Sequence, residues 1–188
     1  MKQINGYIYT KQMREMGLNN RKIKSMIMQG QIIKLKHGLY RNADMFLQDQ
    51  NFFDVCFVMP YAVISGFSAL AYYGLTTLIP QEVSVSIPKT RKASNIIFPP
   101  IKAIRQNIGK FNQNINTIKN GKYSFRIFDI EKVICDTIKD RKKMGTDTIK
   151  EVLQEYLKRK DKNMPKLYET AKRCKVFEEL NELLTIMR

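Results

Sequence analysis

The residues of this chain best placed to do chemistry are cationic. Arg21, Lys22, Lys24, Ser25 and Gln29 share a short segment with Ile23, Met26 and Ile27, which recur at i, i+3 and i+4. Made helical, the segment buries an apolar face and turns hydrogen-bond donors outward, as a helix entering the major groove of DNA must do. Lys34, Lys36, His37 and Arg41 follow in a strand-turn-strand pattern, within reach of phosphates beside such a groove. Nine Lys and Arg stand against Glu15 alone in the first 41 residues, so half of the formal charge of +16 lies there. Binding by displacement of counterions from phosphates requires such a concentration.

Other chemistries are poorly served. The chain has no GxxxxGK[ST], no GxGxxG after a strand, no HExxH and no GxSxG, and it lacks a Gly-Ser loop followed by Asp-x-Asp. Its single histidine, His37, sits in the proposed turn, so no nucleophile-histidine pair is expected elsewhere. Cys56, Cys135 and Cys174 are odd in number and far apart in sequence, which speaks against a zinc site or a disulfide framework. Cys56 and Cys135 read as small core side chains, whereas Lys172, Arg173 and Lys175 around Cys174 could depress its thiol pKa. Asp129 reads as a helix cap and Glu131 as a first-turn acid favoured by the helix dipole. Asp136 falls within an apolar face and needs a partner, with Lys132 and Arg141 as candidates. A metal-dependent nuclease built from Glu82, Asp129, Glu131 and Lys132 would need converging carboxylates that spacing does not supply. The expectation is a protein that is not an enzyme, with no catalytic residue, metal or cofactor.

These groups need elements to position them. Thr10 can cap a helix from Lys11 to Met16, Gly17 suits its stop, and Asn19 or Asn20 can cap a second helix from Arg21 to Gln29, closed by Gly30. Ile32 to Lys36, the turn at His37-Gly38, and Leu39 to Arg41 form a hairpin with Lys34 and Lys36 on one strand face. Leu35 and Leu39 are available to pack against the helices. Residues 1–43 thus read as a winged helix-turn-helix, with Asn42 to Asp44 as the junction to a second domain, residues 44–188.

The second domain reads as α+β. Phe46, Leu47, Phe52, Phe53, Val55, Cys56 and Val58 suggest a joining helix that ends before Pro60. Ser65 or Ser68 can cap a short helix stopped by Gly74. Glu82 to Ile87 alternates as a half-buried strand does, and Ile101 to Ile104 reads as another. Asn120-Gly121 between Ile115–Lys119 and Tyr123–Phe128 signals a β-hairpin. Asp129 then opens a helix with Ile130, Val133, Ile134, Thr137 and Ile138 on one face. Helices from Thr146 to Arg159, after Pro165, and from Phe177 to Ile186 complete a small antiparallel or mixed sheet with a helical tail.

Composition bounds the partners. The chain has 188 residues and is 44% hydrophobic, enough to bury a real core. Its 33 Lys and Arg against 17 Asp and Glu, with a pI near 9.8, favour an anionic partner. The apolar stretch from Val55 to Tyr73 is interrupted by Pro60, Ser65, Gly66 and Ser68, and no apolar signal segment precedes the first helix. A soluble cytoplasmic protein without a membrane partner is expected.

Three segments in order, GQIIKLKHGLY at Gly30–Tyr40, AVISGFSALAYYGL at Ala62–Leu75 and FDIEKVICDT at Phe128–Thr137, resemble the AbiEi-type antitoxins of bacterial type IV toxin-antitoxin and abortive-infection systems, a family associated with phage defence. The resemblance runs over most of the chain. It implies an N-terminal winged helix that binds double-stranded operator DNA and represses its own operon. It also implies a C-terminal domain that counteracts a co-transcribed nucleotidyltransferase toxin, its functional partner. The alternative is an RNA- or protein-binding adaptor without operator recognition, using Lys89, Arg91 and Lys92, Lys139 to Lys143, and Lys158 to Lys162.

Overall fold

A computed structural model describes residues 5–107 and 112–187; Lys2, counted above in the basic excess, lies outside them. Among the described residues the chain is α+β, with nine helices and two sheets of three and five strands. The N-terminal part runs β1 (Tyr7–Tyr9), α1 (Thr10–Glu15), α2 (Asn20–Met28), β2 (Ile32–Lys36) and β3 (Leu39–Asn42). Asn19 caps α2 by accepting from the Lys22 amide at 2.9 Å. Thr10 is the first residue of α1 rather than its cap, and its amide bonds the Gly38 carbonyl at 2.9 Å, which ties α1 to the hairpin turn.

Strand β1 was not expected. It pairs antiparallel with β3 and gives a sheet of order β1-β3-β2. The two faces of this sheet serve different cores. Ile8, Ile32 and Tyr40 join Met13 of α1 and Ile23 of α2 in a small cluster. Leu35 and Leu39 belong to the main core instead of packing against α1 and α2. A bulge in β2 between Lys34 and Lys36 explains the rest: Lys34 lies opposite Tyr40, whereas Lys36 lies opposite Leu39. Cross-strand partners share a face, so the two lysines point to opposite sides and the expected alternation fails.

The second part contains α3 (Gln50–Val58), β4 (Val63–Ile64), α4 (Gly66–Tyr72), β5 (Val83–Pro88), β6 (Ile101–Gln106), β7 (Ile115–Asn120) and β8 (Tyr123–Phe128). Five helices follow: α5 (Ile130–Lys139), α6 (Arg141–Met144), α7 (Thr146–Lys158), α8 (Met164–Cys174) and α9 (Phe177–Ile186). The sheet order is β6-β5-β4-β8-β7, mixed, with β5 parallel to β6 and β4 parallel to β8. Asn120 pairs with Tyr123, so Gly121 and Lys122 form the hairpin turn, and Gly121 takes the positive φ it needs.

Strand β5 is buried on both faces rather than half-buried. The reason lies in AVISGFSAL: Ser68 Oγ accepts from the Ser84 amide at 2.8 Å, and Ser86 Oγ donates to Ser65 Oγ at 3.0 Å. Neither serine makes a side-chain cap to α4. Small side chains let α4 settle on β5, and at Gly66, with φ near 52°, a Cβ would already sit 3.4 Å from that of Ser84.

Contacts cross the junction at Asn42–Asp44. The Asp54 carboxylate on α3, fully buried, accepts from Arg41 Nε at 3.0 Å and from the Tyr7 hydroxyl at 2.8 Å. Tyr7 stacks on Phe57 with centroids 3.9 Å apart, and the Ile97 amide bonds the Leu35 carbonyl at 2.6 Å from the crossover between β5 and β6. Gly6 passes so close to Tyr123 that a Cβ there would collide with its hydroxyl. The element type changes at the junction, but the packing continues through it. Among the described residues no helix is long and apolar enough to cross a membrane.

Candidate nucleic-acid interface and a basic cavity

Helix α2 exposes Arg21, Lys22 and Lys24 and half-exposes Ser25, with exposed Gln29 just past its end as the C-cap, while Ile23 is buried in the small cluster. Among the described residues none of Arg21, Lys22 and Lys24 has a carboxylate within ion-pair distance. Their charge is therefore not neutralised from within. The exposed Arg14 of α1, not singled out from the sequence, donates to Asn20 Oδ1 at 3.3 Å and adds a cation beside the start of α2.

The hairpin contributes unevenly. His37 is exposed at the turn, and Lys34 lies on the side of the sheet that α2 packs against. Lys36, opposite Leu39, lies on the other side, and its backbone forms an antiparallel bridge with Ile96. Arg41 is 5% exposed and committed to Asp54, with further donation to the Asn42 and Met45 carbonyls. It cannot serve as a DNA contact while that ion pair holds. A sequence window shows its charge but not the buried acid thirteen residues on.

The acidic residues are also employed internally. Asp129 caps α5 through the Lys132 amide at 2.8 Å, and Lys166 of α8 bridges Asp129 Oδ2 and Glu131 Oε2, each at 2.9 Å. Glu131 also accepts from the Tyr156 hydroxyl at 3.1 Å. Asp136 pairs with Lys132, not Arg141, which goes to Glu179 at 3.4 Å. Among the described residues no three His, Cys, Asp or Glu side chains are grouped to hold a metal ion.

A second basic locus lies where β5 and β6 meet α5, α6 and α8. A cavity of about 470 Å³ opens there, lined by seven Lys and Arg and by only two acids, Asp136 and Asp140. Lys89, Lys139 and Lys143, from two separate basic clusters of the sequence, converge on it with Lys102, Arg105, Lys132 and Arg173. The third cluster does not join them: Lys158 pairs with Glu155, and Arg159 with Asp161. Lys132 is the buried cation of the cavity, held between Asp136 and the Phe128 ring, 4.9 Å from its centroid.

The cysteines meet here as well. Cys135, on α5, and Cys174, at the end of α8, interact through their thiols, which holds the Cys174 thiol down to about 7 and pushes that of Cys135 up. Lys132 and Lys139, both on α5, assist. The leading causes are thus Cys135 and the α5 lysines rather than the sequence neighbours Lys172, Arg173 and Lys175. Cys174 lines the cavity and is partly exposed, whereas Cys56 and Cys135 are buried. No family model matches this chain, and no curated protein was found to be similar to it.

Proposed function

We propose that residues 1–43 act as a winged helix-turn-helix that recognises operator DNA, and that the chain is a repressor and antitoxin of the AbiEi type. The observation that carries this reading is the outward face of α2, where Arg21, Lys22 and Lys24 stand exposed over a buried Ile23. Such a helix gains affinity from phosphates and specificity from Ser25 and Gln29 at base edges. The resemblance of the three quoted segments to AbiEi-type antitoxins supports the second half, in which the remainder of the chain counteracts a nucleotidyltransferase toxin.

The test pairs fluorescence anisotropy on the duplex upstream of the gene with co-expression of a neighbouring nucleotidyltransferase. Binding to that duplex at least about tenfold tighter than to random duplex at the same salt, with restored growth, is the expected result. Equal affinity for both duplexes would favour the adaptor alternative, and failure to restore growth would remove the antitoxin reading.

A further inference from the structure

We propose that the cavity between the β5–β6 edge and helices α5, α6 and α8 is a binding site for a nucleoside polyphosphate. Its walls bring seven cations around two carboxylates in a space of about 470 Å³, well within the range of small-ligand pockets. One carboxylate, Asp136, is already taken by Lys132, and Arg173 has Glu169 at 4.0 Å. Lys89, Lys102, Arg105, Lys139 and Lys143 have no carboxylate within ion-pair distance among the described residues. Five such cations gathered around one cavity repel each other, and a compact polyanion relieves that repulsion through charge-assisted hydrogen bonds. Inorganic polyphosphate would satisfy the charge alone. The same walls carry the half-buried Phe67 ring and the Gln106 and Asn114 amides. The amide nitrogens donate to Ser86 Oγ and Asp129 Oδ2, which leaves the amide oxygens to accept from the edge of a base while the ring face stacks on it. A cavity of this size takes one nucleotide rather than a folded nucleic acid.

Cys174 makes the site readable. It is partly exposed on the cavity wall, and the other two cysteines are buried, so a bound nucleotide should shield one thiol selectively. A phosphate beside it would also raise the thiol pKa and slow alkylation further.

The experiment titrates the full chain with ATP, GTP, CTP, UTP and tripolyphosphate by calorimetry. In parallel it follows iodoacetamide labelling of Cys174 by peptide mass spectrometry. At least one nucleoside triphosphate should bind about tenfold tighter than tripolyphosphate and slow Cys174 labelling. Lys139→Glu with Lys143→Glu, both exposed positions, should weaken it by at least about tenfold. Lys119→Glu with Lys150→Glu, exposed and off the cavity, should not. Tripolyphosphate binding as tightly as every nucleotide would overturn the assignment, as would unchanged Cys174 labelling or equal loss in both double variants. Protection by a single-stranded oligonucleotide but by none of the four triphosphates would overturn it too. Lys22→Ala with Lys24→Ala in α2 should leave nucleotide binding intact, which keeps this site separable from the DNA-binding reading.

Discussion

The Asp54 carboxylate is held in the interior by Arg41 Nε, the Tyr7 hydroxyl and Gln50 Nε2, the last at 2.8 Å. Both members of the ion pair are nearly inaccessible, so removing one strands the other. Arg41→Ala is expected to cost about 3–5 kcal/mol in urea unfolding, because an uncompensated buried charge remains. The pH dependence gives a second readout. Burial pushes the Asp54 carboxyl above its ordinary 3.8, with Arg41, Tyr7 and Gln50 opposing the shift. The folded state then holds this proton more tightly than the unfolded chain, so the group's contribution to stability rises as the pH falls through the window above 3.8. Relative to Asp54→Asn, the wild type should therefore gain stability as the pH is lowered toward 3.8. Arg41→Ala should carry that window to higher pH, since it removes the cation that opposes the shift. A difference between wild type and Asp54→Asn that is flat with pH would show that the carboxylate does not titrate in this way.

Helix α2 and the β2–β3 hairpin make separable demands as elements. Lys22→Ala or Lys24→Ala should weaken binding to the upstream duplex and to random duplex alike, lowering the slope of log affinity against log salt by about one for each lysine. Ser25→Ala and Gln29→Ala should instead narrow the gap between the two duplexes, because base contacts specify and phosphate contacts position. The bulge in β2 refines the expectation for the hairpin. Lys34 lies on the α2 side and Lys36 on the opposite face, that of Leu39 and the main core. Lys34→Ala should reduce affinity for both duplexes, while Lys36→Ala should leave both unchanged. Equal losses in titrations at one salt concentration would show that the hairpin meets DNA with both faces.

Across the whole molecule the two cores are joined through the small sheet, one face of which belongs to each. A chain beginning at Asp44 would lose Arg41, the Tyr7 ring and the Leu35 and Leu39 side chains that complete the main core. Such a fragment is expected to unfold at lower urea than the full chain and to bind a hydrophobic dye more strongly. Loss of toxin rescue by the fragment would then report stability, so an α2 variant of the full chain is the cleaner way to separate the proposed DNA binding from the proposed antitoxicity. A fragment as stable as the full chain would mean that contacts across Asn42–Asp44 contribute little.

The sequence by itself determined what depends on neighbours along the chain. The 3.6-residue spacing in α2 and α5, the caps at Asn19 and Asp129, the Pro165 helix start and the Asn-Gly hairpin are satisfied within a few residues, so their patterns could be read directly. The outward cations of α2 were legible for the same reason. Tertiary structure alone decided what depends on closure in space. Strand β4 is only two residues long and exists because β5 and β8 flank it. β1 acquires its role from β3, and the bulge that parts Lys34 from Lys36 appears only once β3 supplies the register. Arg41 carried the charge of a DNA contact but found a desolvated acid, and no local window contains that competition. The basic cavity draws Lys89, Lys139 and Arg173 from distant stretches. Each is an ordinary surface cation in one dimension, and only packing sets them around a common space.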